Sequence, residues 1–332
     1  MRIKLLIATA EVDYAEHLSN ILSEKYADIF TVSVCSSAER LKDLLAANSY
    51  DAALIEQSFE TATDLKSIRM PLELIDESGT FSDSNLKKVR KYQRVSAIAG
   101  TVMECFADVG KQLPSFHASK ARITVSWAPS GGVGKTTVAL AYAAQKVLSG
   151  KQTTYLNLED FSSTSTYFQE GGKSISKAFE KLESNLQMFL RGIRRQDGGS
   201  GISYFCGPDN YDDMNILSSE NIETLINACA VETDELVVDL SSRCDKRVQS
   251  IFELADTVLL VCDPSASSQV RLRQFMEQHN VFGSIEEKTV LINNKGAKTP
   301  DTGISRKVHL PIVQSADPIS VYKTLSSGNF DW

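Results

Sequence analysis

The residues best suited to chemistry form one glycine-rich run near the middle of the chain. In order, they are Ser130, Gly131, Gly132, Val133, Gly134, Lys135, Thr136 and Thr137. Glycines let the backbone wrap closely around a phosphate, so that several N–H groups converge on it. Lys135 would reach the β- and γ-phosphate oxygens of a nucleoside triphosphate, and the hydroxyl of Thr136 would ligate Mg²⁺. The run therefore predicts a phosphate-binding loop.

Such a loop has to lie between a strand and a helix, and the flanking residues supply both. The apolar run Ile123–Trp127 is typical of a buried strand. The run Lys135–Leu148 has a helical pattern, and the positive end of that helix would point at bound phosphate. The order of strand, glycine-rich loop and helix is that of a P-loop, although Pro129 stands where the general pattern has its first glycine.

Strand-like apolar runs alternate with helical stretches along the whole chain, which indicates parallel sheets covered by helices on both faces. The first strand is expected at Ile3–Ala8, and a weak fifth strand near Val95–Ile98, with no Lys-Pro pair after it. The polar stretch 110–122 contains Pro114 and is expected to be a linker. We therefore expect two doubly wound α/β domains, a five-stranded one at 1–109 and a larger P-loop one at 123–332.

Composition narrows the function classes. Six cysteines show no metal-ligand spacing, and only four histidines are present, which argues against a zinc or iron–sulfur site. The net charge of −7 argues against a general nucleic-acid binder. No apolar run approaches the ~20 residues that span a bilayer. Acids at Glu11 and Asp13 interrupt the N-terminal apolar run and argue against a signal peptide, so we expect a cytoplasmic protein.

The double glycine followed by Gly-Lys-Thr-Thr resembles the deviant Walker A loop of the ParA/MinD superfamily of ATPases. That resemblance implies ATP and Mg²⁺ as ligands and a nucleotide-dependent homodimer. The family's signature lysine, which crosses the dimer interface to the partner's phosphates, falls at Ser130. The family's acidic pair after the second strand falls at Asn157 and Glu159. Glu159 keeps a carboxylate that could orient the attacking water, whereas Asn157 cannot act as a base.

Later positions follow the same resemblance in order. Asp239 ends a Walker B strand and would hold Mg²⁺ through water. The family's proline–glycine switch is replaced by the residues Leu240–Arg243. Asn293 falls where the family reads the adenine edge, and Pro311 where a residue lies beside the base.

The first domain resembles a response-regulator receiver. A receiver has an aspartate at the end of its third strand as phospho-acceptor, and here that position is Glu56. The acid pair after the first strand is displaced by Ala8-Thr9-Ala10, so Glu11 and Asp13 come late. The resemblance therefore implies a receiver-like domain that does not accept phosphate and serves as a docking module.

A degenerate receiver in front of a ParA/MinD-like ATPase resembles the TadZ/CpaE family of pilus assembly proteins. The resemblance implies an ATP-bound homodimer at a cell pole, with slow or absent hydrolysis and with pilus-assembly or polar partners bound through the first domain. Direct membrane insertion is not expected, because residues 320–332 (SVYKTLSSGNFDW) lack the pattern of a basic amphipathic helix, which binds membrane surfaces. The alternative is a partition ATPase that binds DNA nonspecifically. Its candidate cations are Arg191, Arg194, Arg195, Lys246, Arg247, Arg271 and Arg273.

Overall fold

The computed structural model contains two compact units, Met1–Ser115 and Phe116–Trp332. The bounds 1–109 and 123–332 stay a prediction, and most of the expected linker, from 110 to 120, lies outside the described residues. At the end of that stretch Arg122 already belongs to a strand. The residues that the structure describes are 2–60, 65–76, 86–108, 121–169, 172–182, 186–298 and 302–332.

The first unit is built on a five-stranded, all-parallel sheet of order β2-β1-β3-β4-β5, the order of flavodoxin-like and receiver folds. Its strands are β1 (Ile3–Ala8), β2 (Phe30–Cys35), β3 (Ala52–Glu56), β4 (Pro71–Ile75) and β5 (Lys87–Arg90). Its described helices are α1 (Val12–Lys25), α2 (Ala38–Ala47), α3 (Gln57–Glu60) and α4 (Val95–Asp108), with a 3₁₀ turn at Leu65–Ser67.

The prediction of the fifth strand near Val95–Ile98 was wrong, because these residues begin α4. The strand is β5, in which three of four side chains are charged and only Val89 is buried. A strand with a single inward-facing apolar residue has almost no hydrophobic alternation to detect. The error matters because Lys91 follows β5 directly.

The second unit has an eight-stranded sheet of order β13-β12-β11-β6-β10-β7-β9-β8, antiparallel only between β8 and β9. Its strands are β6 (Arg122–Trp127), β7 (Thr153–Leu158), β8 (Arg195–Gln196), β9 (Ser203–Tyr204), β10 (Glu235–Leu240), β11 (Thr257–Cys262), β12 (Thr289–Asn293) and β13 (Arg306–His309). The expected two doubly wound α/β sheets are thereby confirmed.

Helices cover this larger sheet. They are α5 (Lys135–Leu148), α6 (Thr164–Tyr167), α7 (Ser176–Phe179), α8 (Leu186–Ile193), α9 (Ser219–Cys229), α10 (Lys246–Leu254), α11 (Ala266–Met276), α12 (His279–Ile285) and α13 (Pro318–Ser326). Short 3₁₀ turns lie at Asp213–Ile216 and Glu286–Lys288. No helix within the described ranges is both long and apolar enough to cross a membrane.

The helix α5 is the element that positions the glycine-rich run. Alanines at 139, 141, 143 and 144 are buried on it, which lets the helix pack closely on the central strands. On β6, the strand that leads into the run, the buried Trp127 packs edge-on against Phe252 of α10 and also contacts Phe275 of α11. The carboxyl ends of β6, β7, β10 and β12 therefore meet at one edge of a sheet that is held from both faces. This edge is where ligands bind in doubly wound folds.

Candidate nucleotide site

The glycine-rich run follows β6, and its last three residues, Lys135, Thr136 and Thr137, begin α5. Gly132 and Gly134 have φ angles of +75° and +97°, a left-handed region that suits glycine. A Cβ on Gly134 would collide with the side-chain amide of Asn294. Both the backbone conformation and the lack of space therefore require glycine at this position.

Asn294 and Lys295, the first two residues after β12, form hydrogen bonds with the glycine-rich loop. The sequence analysis did not identify either of them. Asn294 donates a hydrogen bond from Nδ2 to the carbonyl of Val133 at 2.8 Å. Lys295 donates from Nζ to the carbonyl of Gly132 at 2.9 Å and forms an ion pair with Asp263 at 3.4 Å. These contacts occupy two loop carbonyls.

The structure brings together three of the predicted functional side chains. The Nζ atom of Lys135 lies 3.5 Å from Oε1 of Glu159, and the Thr136 hydroxyl donates to Oε2 of the same carboxylate at 3.4 Å. Lys135 also donates to the hydroxyl of Ser242 at 3.5 Å, and its side chain is only 8% exposed. Phosphate oxygens could replace Glu159 as partners of this lysine and this hydroxyl.

Asp239 lies at the end of β10 and is fully buried. Its Oδ2 accepts hydrogen bonds from the hydroxyl of Tyr155 at 2.9 Å and from Nδ2 of Asn157 at 3.3 Å. Its Oδ1 has no hydrogen-bond partner within the described residues. Burial and the nearby charge of Glu159 raise the pKa of Asp239 to about 7. Thus Asn157 supports Asp239 with a donor, where an acid would repel it.

The unsatisfied buried atoms test whether these residues fit a nucleotide and a metal ion. Ser130 Oγ, Asp239 Oδ1 and Asn293 Nδ2 are buried without a hydrogen-bond partner in the described structure. Each such atom costs about 1–3 kcal/mol unless something binds it. A carboxylate oxygen near a threonine hydroxyl suits hydrated Mg²⁺, and the hydroxyl and amide can donate to a ligand. The arrangement fits Mg·ATP.

Of the positions expected near an adenine, Asn293 is the last residue of β12 and Pro311 lies two residues after the end of β13. The backbone N–H of Leu310 donates to the Asn293 carbonyl at 2.9 Å, which brings the exposed Pro311 close to the end of β12. Thr137 extends the loop into α5, and its hydroxyl lies 3.4 Å from that of Tyr167. The roles of these residues towards a base stay a prediction.

The first unit has a different polar cluster, centred on the fully buried side chain of Lys91. Its Nζ lies 2.7 Å from Glu11, 3.0 Å from Glu56 and 3.2 Å from Asp76. A lysine therefore does follow the fifth strand, although not as a Lys-Pro pair, and the misplaced strand position hid it from the sequence analysis. Glu11, which sequence analysis set aside as displaced, reaches the cluster from the residue before α1.

Glu56 stands at the end of β3 as predicted, and both of its oxygens are engaged. Oε1 accepts from Lys91, and Oε2 accepts from the Thr9 hydroxyl and the Ala10 N–H at 2.8 and 2.9 Å. Burial acts to raise the pKa of Glu56, but the hydrogen bonds from Ala10, Lys91 and Thr9 together lower it. Ligand oxygens of Glu11, Glu56 and Asp76 lie within 4.8 Å of one another, as metal ligands can. The Lys91 ammonium supplies the positive charge there.

Comparisons with known proteins bear on the second unit. No protein-family model matches the chain, and no curated protein is similar to it. A ParA family ATPase from Chlorobium tepidum TLS is similar in structure, with 20% identity and a TM-score of 0.50 over 63% of this chain and 94% of that one. The septum site-determining protein MinD of Pyrococcus horikoshii OT3, complexed with Mg-ADP, gives 12% identity and a TM-score of 0.48 over 62% and 94%. The first likeness shows that the second unit has a ParA-like fold.

Lys91→Met should destabilise the first unit. The substitution leaves three carboxylates without their shared cation, which we expect to cost roughly 2–4 kcal/mol. Hydrogen exchange of peptides from residues 2–108 measures the loss. Lys87→Met is the matched control, because Lys87 is 46% exposed and lies 4.0 Å from Glu104, and we expect less than about 0.5 kcal/mol from it. Equal effects of the two substitutions would contradict a structural role for the buried cluster.

The raised pKa of Asp239 makes Mg·ATP binding pH-dependent. A metal ion favours the ionised carboxylate, so binding below pH 7 should release a proton from Asp239. Affinity should rise by up to about tenfold per pH unit below pH 7 and level off above it. Calorimetry in two buffers of different ionisation enthalpy measures the proton. Asp239→Asn controls for titration of the nucleotide itself, and identical proton release from this variant would exclude Asp239 as the source.

Proposed function

We propose that the chain is an ATP-binding, homodimeric localisation and assembly factor of the TadZ/CpaE kind, which helps to place Tad (Flp-type) pilus machinery at a cell pole. The second unit binds Mg·ATP, and the receiver-like first unit binds pilus-assembly or polar partners. The observation that supports the proposal most strongly is the candidate nucleotide site. There, Ser130 Oγ, Asp239 Oδ1 and Asn293 Nδ2 are buried without a hydrogen-bond partner in the described structure. Its P-loop backbone, Lys135 and Thr136 would hold the phosphates and Mg²⁺. Bound Mg²⁺ would neutralise phosphate charge.

Slow or absent hydrolysis is part of the proposal. Hydrolysis needs preorganised positive charge around the transferred phosphate and a group that orients water. Ser130 is neutral. The side-chain amide of Asn157 donates hydrogen bonds to Tyr155, Glu159 and Asp239. Glu159 is the remaining carboxylate that could orient the water, once phosphate replaces it at Lys135. Binding groups are therefore better preserved than hydrolytic ones.

A surface for partners lies beside the nucleotide site. Phe161 is 80% exposed and Tyr211 is 53% exposed, and their rings stack at 6.0 Å. Exposed aromatic patches of this kind are typical of protein interfaces. Phe161 comes two residues after Glu159, so nucleotide contacts at Glu159 would reach this surface through the same loop. We assign the stacked pair to the ATP-dependent dimer interface.

Several cations proposed for the DNA-binding alternative are engaged within the protein. Arg191 forms an ion pair with Glu232 at 2.9 Å. Arg194 donates to the carbonyls of Cys229 and Val231 at 3.1 and 2.9 Å, at the end of α9. Arg247 pairs with the helix-capping Asp245. These contacts leave less positive charge for a DNA backbone, so the partition function stays the weaker alternative.

Light scattering with and without Mg·ATP, with phosphate release followed in the same samples, tests the proposal. We expect ATP to convert monomer to dimer with little phosphate release. Lys135→Ala should abolish this conversion, because loss of a charged hydrogen bond to phosphate weakens ATP binding roughly 10- to 100-fold. Brisk turnover, or a salt-sensitive DNA shift that needs ATP, would favour the partition ATPase. No ATP binding at all would refute the proposal, and loss of polar placement of a fluorescent fusion in Lys135→Ala would support its cellular part.

Phe161→Ser should separate dimer formation from nucleotide binding. Removing the exposed ring should weaken the dimer by about tenfold or more, since buried aromatic anchors dominate interfaces. The ATP affinity of the monomer should stay unchanged in calorimetry at protein concentrations below those at which the dimer forms, because the ring lies outside the phosphate loop and dimer formation itself is coupled to ATP binding. Ile216→Ser, at another exposed apolar side chain, is the control. A dimer of unchanged strength in Phe161→Ser would place the interface elsewhere.

A further inference from the structure

The loop between β10 and α10 is held on both sides of Arg243. The indole N–H of Trp127 donates to the Arg243 carbonyl at 2.8 Å. One residue earlier, the Ser242 hydroxyl accepts from Nζ of Lys135 at 3.5 Å. Two residues after Arg243, Asp245 caps α10 by accepting from two backbone N–H groups. The backbone at Arg243 is thus fixed one residue from a direct contact with the phosphate-binding lysine.

The side chain of Arg243 has fewer contacts than its position in a well-held loop would suggest. It forms an ion pair with Asp160, closest between Nε and Oδ2 at 3.1 Å, while the arginine side chain is 49% exposed. Within the described ranges it makes no other polar contact. A guanidinium has five N–H donors in a planar fork that matches carboxylate and phosphate oxygens. One carboxylate near Nε leaves donor capacity for a second oxyanion.

The charges at the site call for a second cation. Lys135 is the buried cation of the loop, and Glu159 lies beside it. Asp239 adds a further acid, and Ser130 adds no charge. Lys295 is committed to the Gly132 carbonyl and to Asp263, which shapes the loop. A further cation beside Lys135 would strengthen the binding of a terminal phosphate through charge-assisted hydrogen bonds.

We propose that Arg243 is the residue that distinguishes ATP from ADP. Its guanidinium binds the terminal phosphate of ATP held by the same chain, and Asp160 positions it from the Nε side. The inference rests on the proposed nucleotide binding and adds a specificity-determining residue to it. Because Glu159 and Asp160 are adjacent, one loop then contacts both the lysine and the arginine that read the triphosphate.

Calorimetry with Mg·ADP and with Mg·AMP-PNP, a poorly hydrolysed ATP analogue, tests the assignment. Arg243→Ala should weaken AMP-PNP binding by roughly 10- to 100-fold, the loss of a charged phosphate contact. Its ADP affinity should stay within about twofold. Arg243→Lys should recover part of the difference, because the charge remains and the fork is lost. Arg271→Ala, at an exposed arginine of α11, should bind both nucleotides normally.

Trp127 gives a second readout that does not depend on turnover. The chain has two tryptophans, so Trp332→Phe leaves Trp127 as the sole indole, hydrogen-bonded to the Arg243 carbonyl. AMP-PNP should change its fluorescence more than ADP does, because binding of the terminal phosphate by the Arg243 guanidinium changes the charge close to the indole that donates to the Arg243 carbonyl. The difference should disappear when Arg243→Ala is added. An equal response to both nucleotides in Trp332→Phe would contradict the proposal.

Asp160→Asn tests the positioning role. It should weaken AMP-PNP binding less than Arg243→Ala does, and it should have no further effect in the Arg243→Ala background, because the two residues act as one unit. Additive losses would refute the positioning role of Asp160. Equal loss of ADP and AMP-PNP affinity in Arg243→Ala would make Arg243 a general support of the loop. Wild-type protein that binds neither nucleotide would refute the proposed function itself and this inference with it.

Discussion

The second unit depends on the close approach of Asn294 to the glycine-rich loop. The amide of Asn294 reaches the Val133 carbonyl across 161 positions of sequence and occupies the space where a Cβ of residue 134 would lie. This contact is possible because β12 and β6 are parallel strands of one sheet, separated by β11. The loop that would bind phosphate is therefore fixed by the sheet as a whole.

The site follows from what that fixed loop leaves unsatisfied. Folding normally pairs buried polar atoms with one another, and most of this edge obeys that rule. The exceptions, Ser130 Oγ, Asp239 Oδ1 and Asn293 Nδ2, lie on the loop or at the ends of β10 and β12. In doubly wound folds, ligands bind at the carboxyl ends of the strands, which is where these unpaired donors and acceptors lie. Burial, which raises the pKa of Asp239, makes a metal cation an effective partner for its carboxylate.

Local pattern was sufficient to predict the loop and its helix, and it failed where long-range contacts decide. Strong apolar periodicity placed α5 at Lys135–Leu148, the same bounds that the structure shows. The strand β5 has only Val89 to bury, so periodicity could not reveal it, and Lys91 was missed with it. Asn294 and Lys295 were missed because their partners, 161 and 163 positions away, are set by strand order. A charged residue directly after a short charged strand is the one local signal that could have indicated Lys91.

The two units contain lysines in opposite situations, and this contrast assigns them different roles. Lys91 is surrounded by three carboxylates, and the oxygens of Glu56 are already bound by Lys91, Thr9 and Ala10. One ammonium against three carboxylates leaves this cluster with excess negative charge, which disfavours a further anionic phosphoryl group at Glu56. Lys135 has Glu159 and the Ser242 hydroxyl as partners. A phosphate group could replace both of them as the partner of this lysine. Nucleotide-dependent changes are therefore expected to originate at Lys135 rather than at the cluster around Lys91.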